Sequence, residues 1–212
     1  MMDPFHERLA KVALAACGQY GFALAGGYAV QAAGILERPS EDVDLFTVRT
    51  RLAEMDDAIS AVVAAFTAEG MTVDDSERNG AVPRLYVTDG YNSSKVEMIA
   101  GWRLEEPVQM AIGPVLHPDD AVGNKMDALF GRAAPKDFID VDAAVQSGRY
   151  DRESLMALLA RINRGFDRVM FGQTLNVLRG LPDTRFTAYG LSGRDVAELR
   201  ARFADWQSEL LT

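Results

Sequence analysis

Asp42 and Asp44 are separated only by Val43, and fourteen residues lie between Asp42 and a preceding pair of glycines, Gly26-Gly27. Along a strand, residues two apart share a face. The two acids therefore point one way and Val43 points into a core. Carboxylates so placed can share a hard divalent cation, and Mg2+ keeps open positions for triphosphate oxygens. Two glycines between a strand and a helix let the backbone approach a phosphate chain, and a helix N-terminus favours anionic charge. Alone, each signal is weak; acid-x-acid is also the solvent-facing stripe of an edge strand. The order strand, Gly-Gly, helix, acid-x-acid strand is far more selective.

A third carboxylate from a neighbouring strand would complete such a site. Glu97, in Lys95-Val96-Glu97-Met98-Ile99, alternates with apolar residues and faces away from them. Its alternative is the polar face of a half-exposed strand. Asp89 sits beside Gly90 in turn chemistry and is the poorer candidate.

A second cluster comprises Lys125, Arg132, Lys136, Asp137 and Asp140. Lys125 and Arg132 lie two helical turns apart. Lys136 and Asp140, and Asp137 and Asp140, have spacings that share a helix face. Lysine can neutralise a triphosphate, and arginine can grip phosphate through paired hydrogen bonds. A carboxylate beside them could orient a base or sugar, or accept the proton of an attacking hydroxyl. The alternative is a set of surface ion pairs on two helices.

These residues need elements to hold them. Apolar spacing predicts an opening helix over 5–17, a short buried strand Phe22–Ala25 and a helix from Tyr28 to Leu36 that stops near Pro39. A strand over Val43–Val48 and a helix over Leu52–Ala68, ended by Gly70, follow. Strands are expected at Thr72-Val73, Arg84–Thr88 and Lys95–Ala100, the last two forming a hairpin through Asp89–Asn92. Helices open at Pro118 and Pro135, and everything from Arg152 onward reads as helical. The expectation is an α+β fold: a catalytic domain with a mixed sheet flanked by helices over residues 1–147, then a helical region over 148–212.

Composition narrows the class. With 212 residues, 48% of them apolar, the chain can bury a real core. A single cysteine, Cys17, excludes an internal disulfide and reads as a buried small hydrophobe. Val12 to Leu36 carries no charge, but its glycines and alanines read as buried elements rather than a membrane span. The N-terminus has no apolar signal core, so a cytoplasmic protein is expected. His6 and His117 offer no recognisable zinc spacing and read as structural. The net charge of −9 does not by itself suggest a nucleic-acid binder, yet its distribution is uneven. Residues 1–124 carry 9 Lys/Arg against 19 Asp/Glu, whereas residues 125–212 carry 13 against 12. Arg149, Arg152, Arg161, Arg164, Arg168 and Arg179 fall in the second stretch.

Gly26-Gly27-Tyr28, Arg38-x-Ser40-x-Asp42-Val43-Asp44-Leu45-Phe46, and Lys125 followed by Arg132 and Lys136-Asp137-x-x-Asp140 resemble the AbiEii/AbiGii-type nucleotidyltransferase family. That family includes toxins of bacterial toxin–antitoxin and phage-defence systems, the MenT-type toxins among them. The resemblance spans about residues 20–145 and implies transfer of a nucleotide from a Mg2+-bound nucleoside triphosphate, CTP or another pyrimidine. The implied acceptor is the 3′ end of tRNA, and the implied consequence a block of translation. By resemblance Asp42 and Asp44 hold magnesium, Lys125 contacts the nucleotide phosphates and Asp140 is the second essential carboxylate. An antitoxin partner follows as well; in similar toxins a Ser or Thr at the position of Ser40 is the target of an antitoxin kinase. Ser40 otherwise satisfies its loop backbone. Transfer to a small molecule such as an aminoglycoside, or to a protein side chain, uses the same core residues. A non-catalytic binding module would lack one or more of Asp42, Asp44 and Lys125, and all three are present.

Overall fold

Asp3 starts the first helix: its carboxylate accepts the backbone N–H groups of Phe5 at 2.9 Å and His6 at 3.1 Å, with Pro4 in the first turn. Helix α1 (Pro4–Cys17) buries Leu9, Ala10, Ala13, Leu14 and Cys17 along one stripe and leaves Glu7 and Lys11 to pair outside at 2.6 Å. Burial pushes the Cys17 thiol up to about 12, as befits a residue spent on packing.

This computed structural model describes residues 2–212. They form two compact units, one running to Ala121 and the other from Val122 to Thr212. The catalytic region expected over 1–147 takes in the first unit and the opening helices of the second.

In the first unit the chain continues through β1 (Ala23–Leu24), α2 (Gly26–Ala32), β2 (Val43–Val48), α3 (Met55–Ala68), β3 (Thr72–Glu77), β4 (Arg84–Thr88), β5 (Ser93–Gly101), β6 (Val108–Met110) and β7 (Gly113–Val115). The seven strands form one mixed sheet in the order β3-β4-β5-β2-β1-β7-β6. Strands β2 and β5 run parallel at its centre, pairing Val43 with Val96, Asp44 with Glu97 and Leu45 with Met98. Val43, Leu45, Val96 and Met98 are fully buried, so the acids between them face the opposite side. Helices α1 and α3 pack on each other and against the sheet, with Leu9, Ile59, Val62 and Phe66 enclosed.

The differences from the sequence reading have local causes. Helix α2 is shorter than Tyr28–Leu36: it starts at Gly26 and ends at Ala32, because Gly34 turns the chain in left-handed geometry, φ +71°. A 3-10 turn over Arg49–Glu54 precedes α3 where helix was expected from Leu52. Strand β3 runs past Val73 through Asp74 and Asp75, held by its pairing with β4 across an irregular register rather than by β propensity. The β6–β7 hairpin was not anticipated: each strand has three residues, and β7 begins Gly113-Pro114.

The second unit is helical throughout, as expected. It holds most of α4 (Pro118–Arg132), then α5 (Pro135–Gln146), α6 (Arg152–Ile162), α7 (Arg168–Leu175), the short α8 (Thr184–Thr187) and α9 (Gly193–Leu211). Asp151, Asp167 and Ser192 cap α6, α7 and α9. Its core is aromatic: Phe138 meets Phe203 edge-on at 5.1 Å, Phe171 meets Trp206 at 5.3 Å, and Phe203 stacks on Trp206 at 5.9 Å. Among the described residues no helix is long and apolar enough to cross a membrane.

Candidate active site

Asp42 stands immediately before β2, Asp44 is its second residue, and Glu97 is Asp44's partner across the parallel pair. One carboxylate oxygen from each lies within 4.8 Å of the others. The three acids singled out for a metal are thus brought together, on the polar face of the central strands. Asp42 is buried; Asp44 and Glu97 are half-buried. Three converging carboxylates, all oxygen donors, fit a hard divalent cation.

Two cations of the protein's own also reach this cluster, and the sequence reading assigned neither a role. The Lys95 ammonium lies 3.0 Å from Asp42 Oδ2 and 2.6 Å from Glu97 Oε1. Arg84 donates through Nε to Glu97 Oε1 at 2.9 Å and also pairs with Glu77 at 3.2 Å. Burial acts to lower the Lys95 pKa, but the hydrogen bonds to Glu97 and Asp42 outweigh it and hold the ammonium above its ordinary value. For Glu97, burial acts upward, and the bonds from Lys95 and Arg84 prevail and lower it. The signal for Lys95 was its spacing, two residues before Glu97 on the same strand face.

The double glycine lies against the acids. Gly26 adopts φ +60°, and a Cβ there would lie 1.7 Å from Asp44 Oδ2. A Cβ on Gly27 would lie 2.8 Å from Ser40 Oγ. The Ala25 N–H donates to the Asp44 carbonyl at 2.8 Å, fixing the turn to β2. Both glycines therefore make room for site side chains, in addition to whatever they offer a phosphate.

Beside Ser40 opens a cleft of about 590 Å³, walled by Phe5, His6, Tyr28, Tyr91 and Asn92 among others. His6 bridges it: Nδ1 is 2.6 Å from the Tyr28 hydroxyl and Nε2 is 2.7 Å from Ser94 Oγ. Burial lowers the His6 pKa, against the opposing charges of Asp3 and Asp42. The imidazole is a structural bridge. His117 accepts the Asp119 N–H through Nδ1 at 3.3 Å.

The second cluster lies in the helical unit. Lys125 pairs with Asp140 at 2.9 Å, joining α4 to α5, with both side chains buried. Arg132 makes a two-pronged contact with Asp137, at 2.9 and 2.8 Å, and Asp137 also accepts the Ala134 N–H at 3.0 Å at the start of α5. Asp137 is fully buried and spends its carboxylate on these bonds. Lys136 is half-buried on the first turn of α5.

The arginines concentrated in the second stretch of the sequence are largely engaged within the unit. Arg152 contacts Asp205 at 2.9 Å and Glu209 at 2.7 Å. Arg168 grips Glu153 with two bonds of 2.8 and 2.7 Å, and Arg179 donates to Gln207 at 3.2 Å.

Comparison with known proteins bears on what this arrangement does. The family model for the nucleotidyl transferase AbiEii toxin, of type IV toxin–antitoxin systems, matches residues 14–211. Among solved structures, JHP933 from Helicobacter pylori superposes with a TM-score of 0.62 at 15% identity, covering 100% of this chain and 94% of that one. A candidate nucleotidyltransferase from H. pylori superposes with a TM-score of 0.56 at 16% identity, covering 97% and 95%. No protein of curated function matches.

Proposed function

Because the chain belongs to the AbiEii nucleotidyl transferase toxin family, we propose that it transfers a nucleoside monophosphate from a Mg2+-bound nucleoside triphosphate to the 3′ end of a tRNA, in the cytoplasm, and so blocks translation. The observation that carries this reading is the convergence of Asp42, Asp44 and Glu97. These acids would hold the magnesium, which when bound orients the triphosphate and offsets charge on the attacking and leaving oxygens.

In the reaction, the acceptor hydroxyl gives its proton to a carboxylate of the site or to solvent as its oxygen bonds to the α-phosphorus; the bond from that phosphorus to the bridging oxygen breaks, and pyrophosphate leaves. Lys125 is the residue assigned to the nucleotide phosphates, and Asp140 orients its ammonium at 2.9 Å. Within the helical unit, Arg132 and Lys136 are further cations offered to the nucleotide, and Asp137 positions Arg132. Gly26 and Gly27 bring backbone to the phosphates, and Ser40 lines the neighbouring cleft. CTP or another pyrimidine triphosphate is the donor expected from the family resemblance.

A cognate antitoxin is the other partner. Acting as a kinase on Ser40, it would add up to about two negative charges beside Gly27, two residues before Asp42. Mass spectrometry after co-expression with the antitoxin tests this, and an unmodified Ser40 in inactivated protein would sink it.

The engaged arginines of the helical unit favour a second acceptor class, a small molecule or a protein side chain, since they leave less charge for RNA. Incubation with Mg2+, each labelled triphosphate in turn and total RNA separates the two. The proposal expects label in a tRNA-sized band that is lost with Asp42→Ala; label on protein or small molecules instead would replace the acceptor.

A further inference from the structure

Lys95 reaches into the acid cluster from the middle of the sheet. It shares a face of β5 with Glu97, two residues on, and the register that sets Val43 beside Val96 brings it alongside Asp42. Its ammonium touches one oxygen of Asp42 at 3.0 Å and one of Glu97 at 2.6 Å, both from acids that converge within 4.8 Å. Its side chain is 29% exposed, those of Asp42 and Glu97 10% and 16%. A cation thus already sits where the acids converge, and it is covalently part of the chain.

We propose that Lys95 is a resident counter-cation of the acid cluster, displaced from Asp42 when a divalent ion arrives with its triphosphate; this rests on reading Asp42, Asp44 and Glu97 as the metal site. Three carboxylates so close repel one another unless a positive charge stands among them. Lys95 supplies it, and so holds the acids in their converged arrangement before any ligand binds. The same contact sets a bare ion against a like charge on the oxygens it needs. A triphosphate changes the balance, because its oxygens offer the released ammonium new partners. Lys95 therefore weakens binding of the bare ion and couples metal binding to nucleotide binding. It is a positioning residue in this role: it acts on the metal through the acids.

The test is Mn2+ binding to the full chain, by titration calorimetry, with and without a non-hydrolysable nucleoside triphosphate. Lys95→Met and Lys95→Gln should bind Mn2+ alone about tenfold tighter than the unaltered protein, the scale of losing one opposing charge at contact. With the nucleotide present the gap should close or reverse. The variants should melt at lower temperature in chelator and recover the difference in Mn2+; a lysine that merely supports the fold would lower both melting points alike. Mn2+ affinity equal to or weaker than that of the unaltered protein in both variants, without nucleotide, overturns the proposal. Asp42→Asn separates the two levels: if it binds Mn2+ undiminished, the metal-site reading itself fails. If it loses Mn2+ while the Lys95 variants are unchanged, only the counter-cation fails.

Discussion

The carboxylate of Asp44 occupies the volume that a side chain at Gly26 would need, since a Cβ there would come within 1.7 Å of Oδ2. The first glycine and the second acid are thus one steric unit, although seventeen residues of chain lie between them.

Gly26→Ala should displace Asp44 and abolish nucleotidyl transfer and Mn2+ binding together. The left-handed backbone adds about 1–3 kcal/mol of strain. Gly34→Ala is the control, with φ +71° and open space around its Cβ position. It should show a similar loss in urea unfolding while keeping its activity, so equal activity loss in both variants would refute the steric account.

Asp120, in the first turn of α4, holds the loop between β5 and β6. It is buried and accepts the N–H groups of Leu104 at 2.7 Å and Glu105 at 2.9 Å. Asp120→Ala leaves two donors without their acceptor and should cost about 2–3 kcal/mol in chemical unfolding.

Lys125→Met should cost about 3–5 kcal/mol, because it removes the cation paired with the buried Asp140 carboxylate. Adding Asp140→Leu should restore much of that stability without restoring activity. Recovery of both would show that the pair serves only the fold.

His6 gives the first unit a pH dependence. Burial holds its folded pKa below the ordinary 6.5, even against the charges of Asp3 and Asp42, so the unfolded chain takes the proton more readily. Its contribution is present above pH 6.5 and is lost as pH falls through the lower folded value. Urea midpoints measured between about pH 7.5 and 5 should fall more steeply for the unaltered protein than for His6→Gln. Parallel curves would remove His6 as the cause.

Strands β2 and β4 were legible to the residue, and Glu97 stood out through its alternation with Val96 and Met98, because period-two patterns are local. What escaped was decided by pairing over distance. Lys95 meets Asp42 only because β2 and β5 lie parallel, and no local pattern encodes a crossover pairing. Helical spacing sets Lys136 beside Asp140 along α5, but no spacing within one helix reaches the ion pair that runs from Asp140 to Lys125 in α4. The β6–β7 hairpin is too short to carry a period, and the aspartate of α4 that ties down residues 104 and 105 reaches a loop sixteen residues earlier, which no helix pattern shows.

The arginines of the helical unit bear on ionic strength. Arg132, Arg152, Arg168, Arg200 and Arg202 each hold a carboxylate of the same unit. An RNA docking there would evict few counterions by engaging them. Its affinity should therefore fall with salt far less steeply than thirteen Lys/Arg suggest at a log–log slope of about −0.9 per phosphate neutralised. Such an enzyme would select its acceptor by fit in the reacting end rather than by the charge of the nucleic acid behind it.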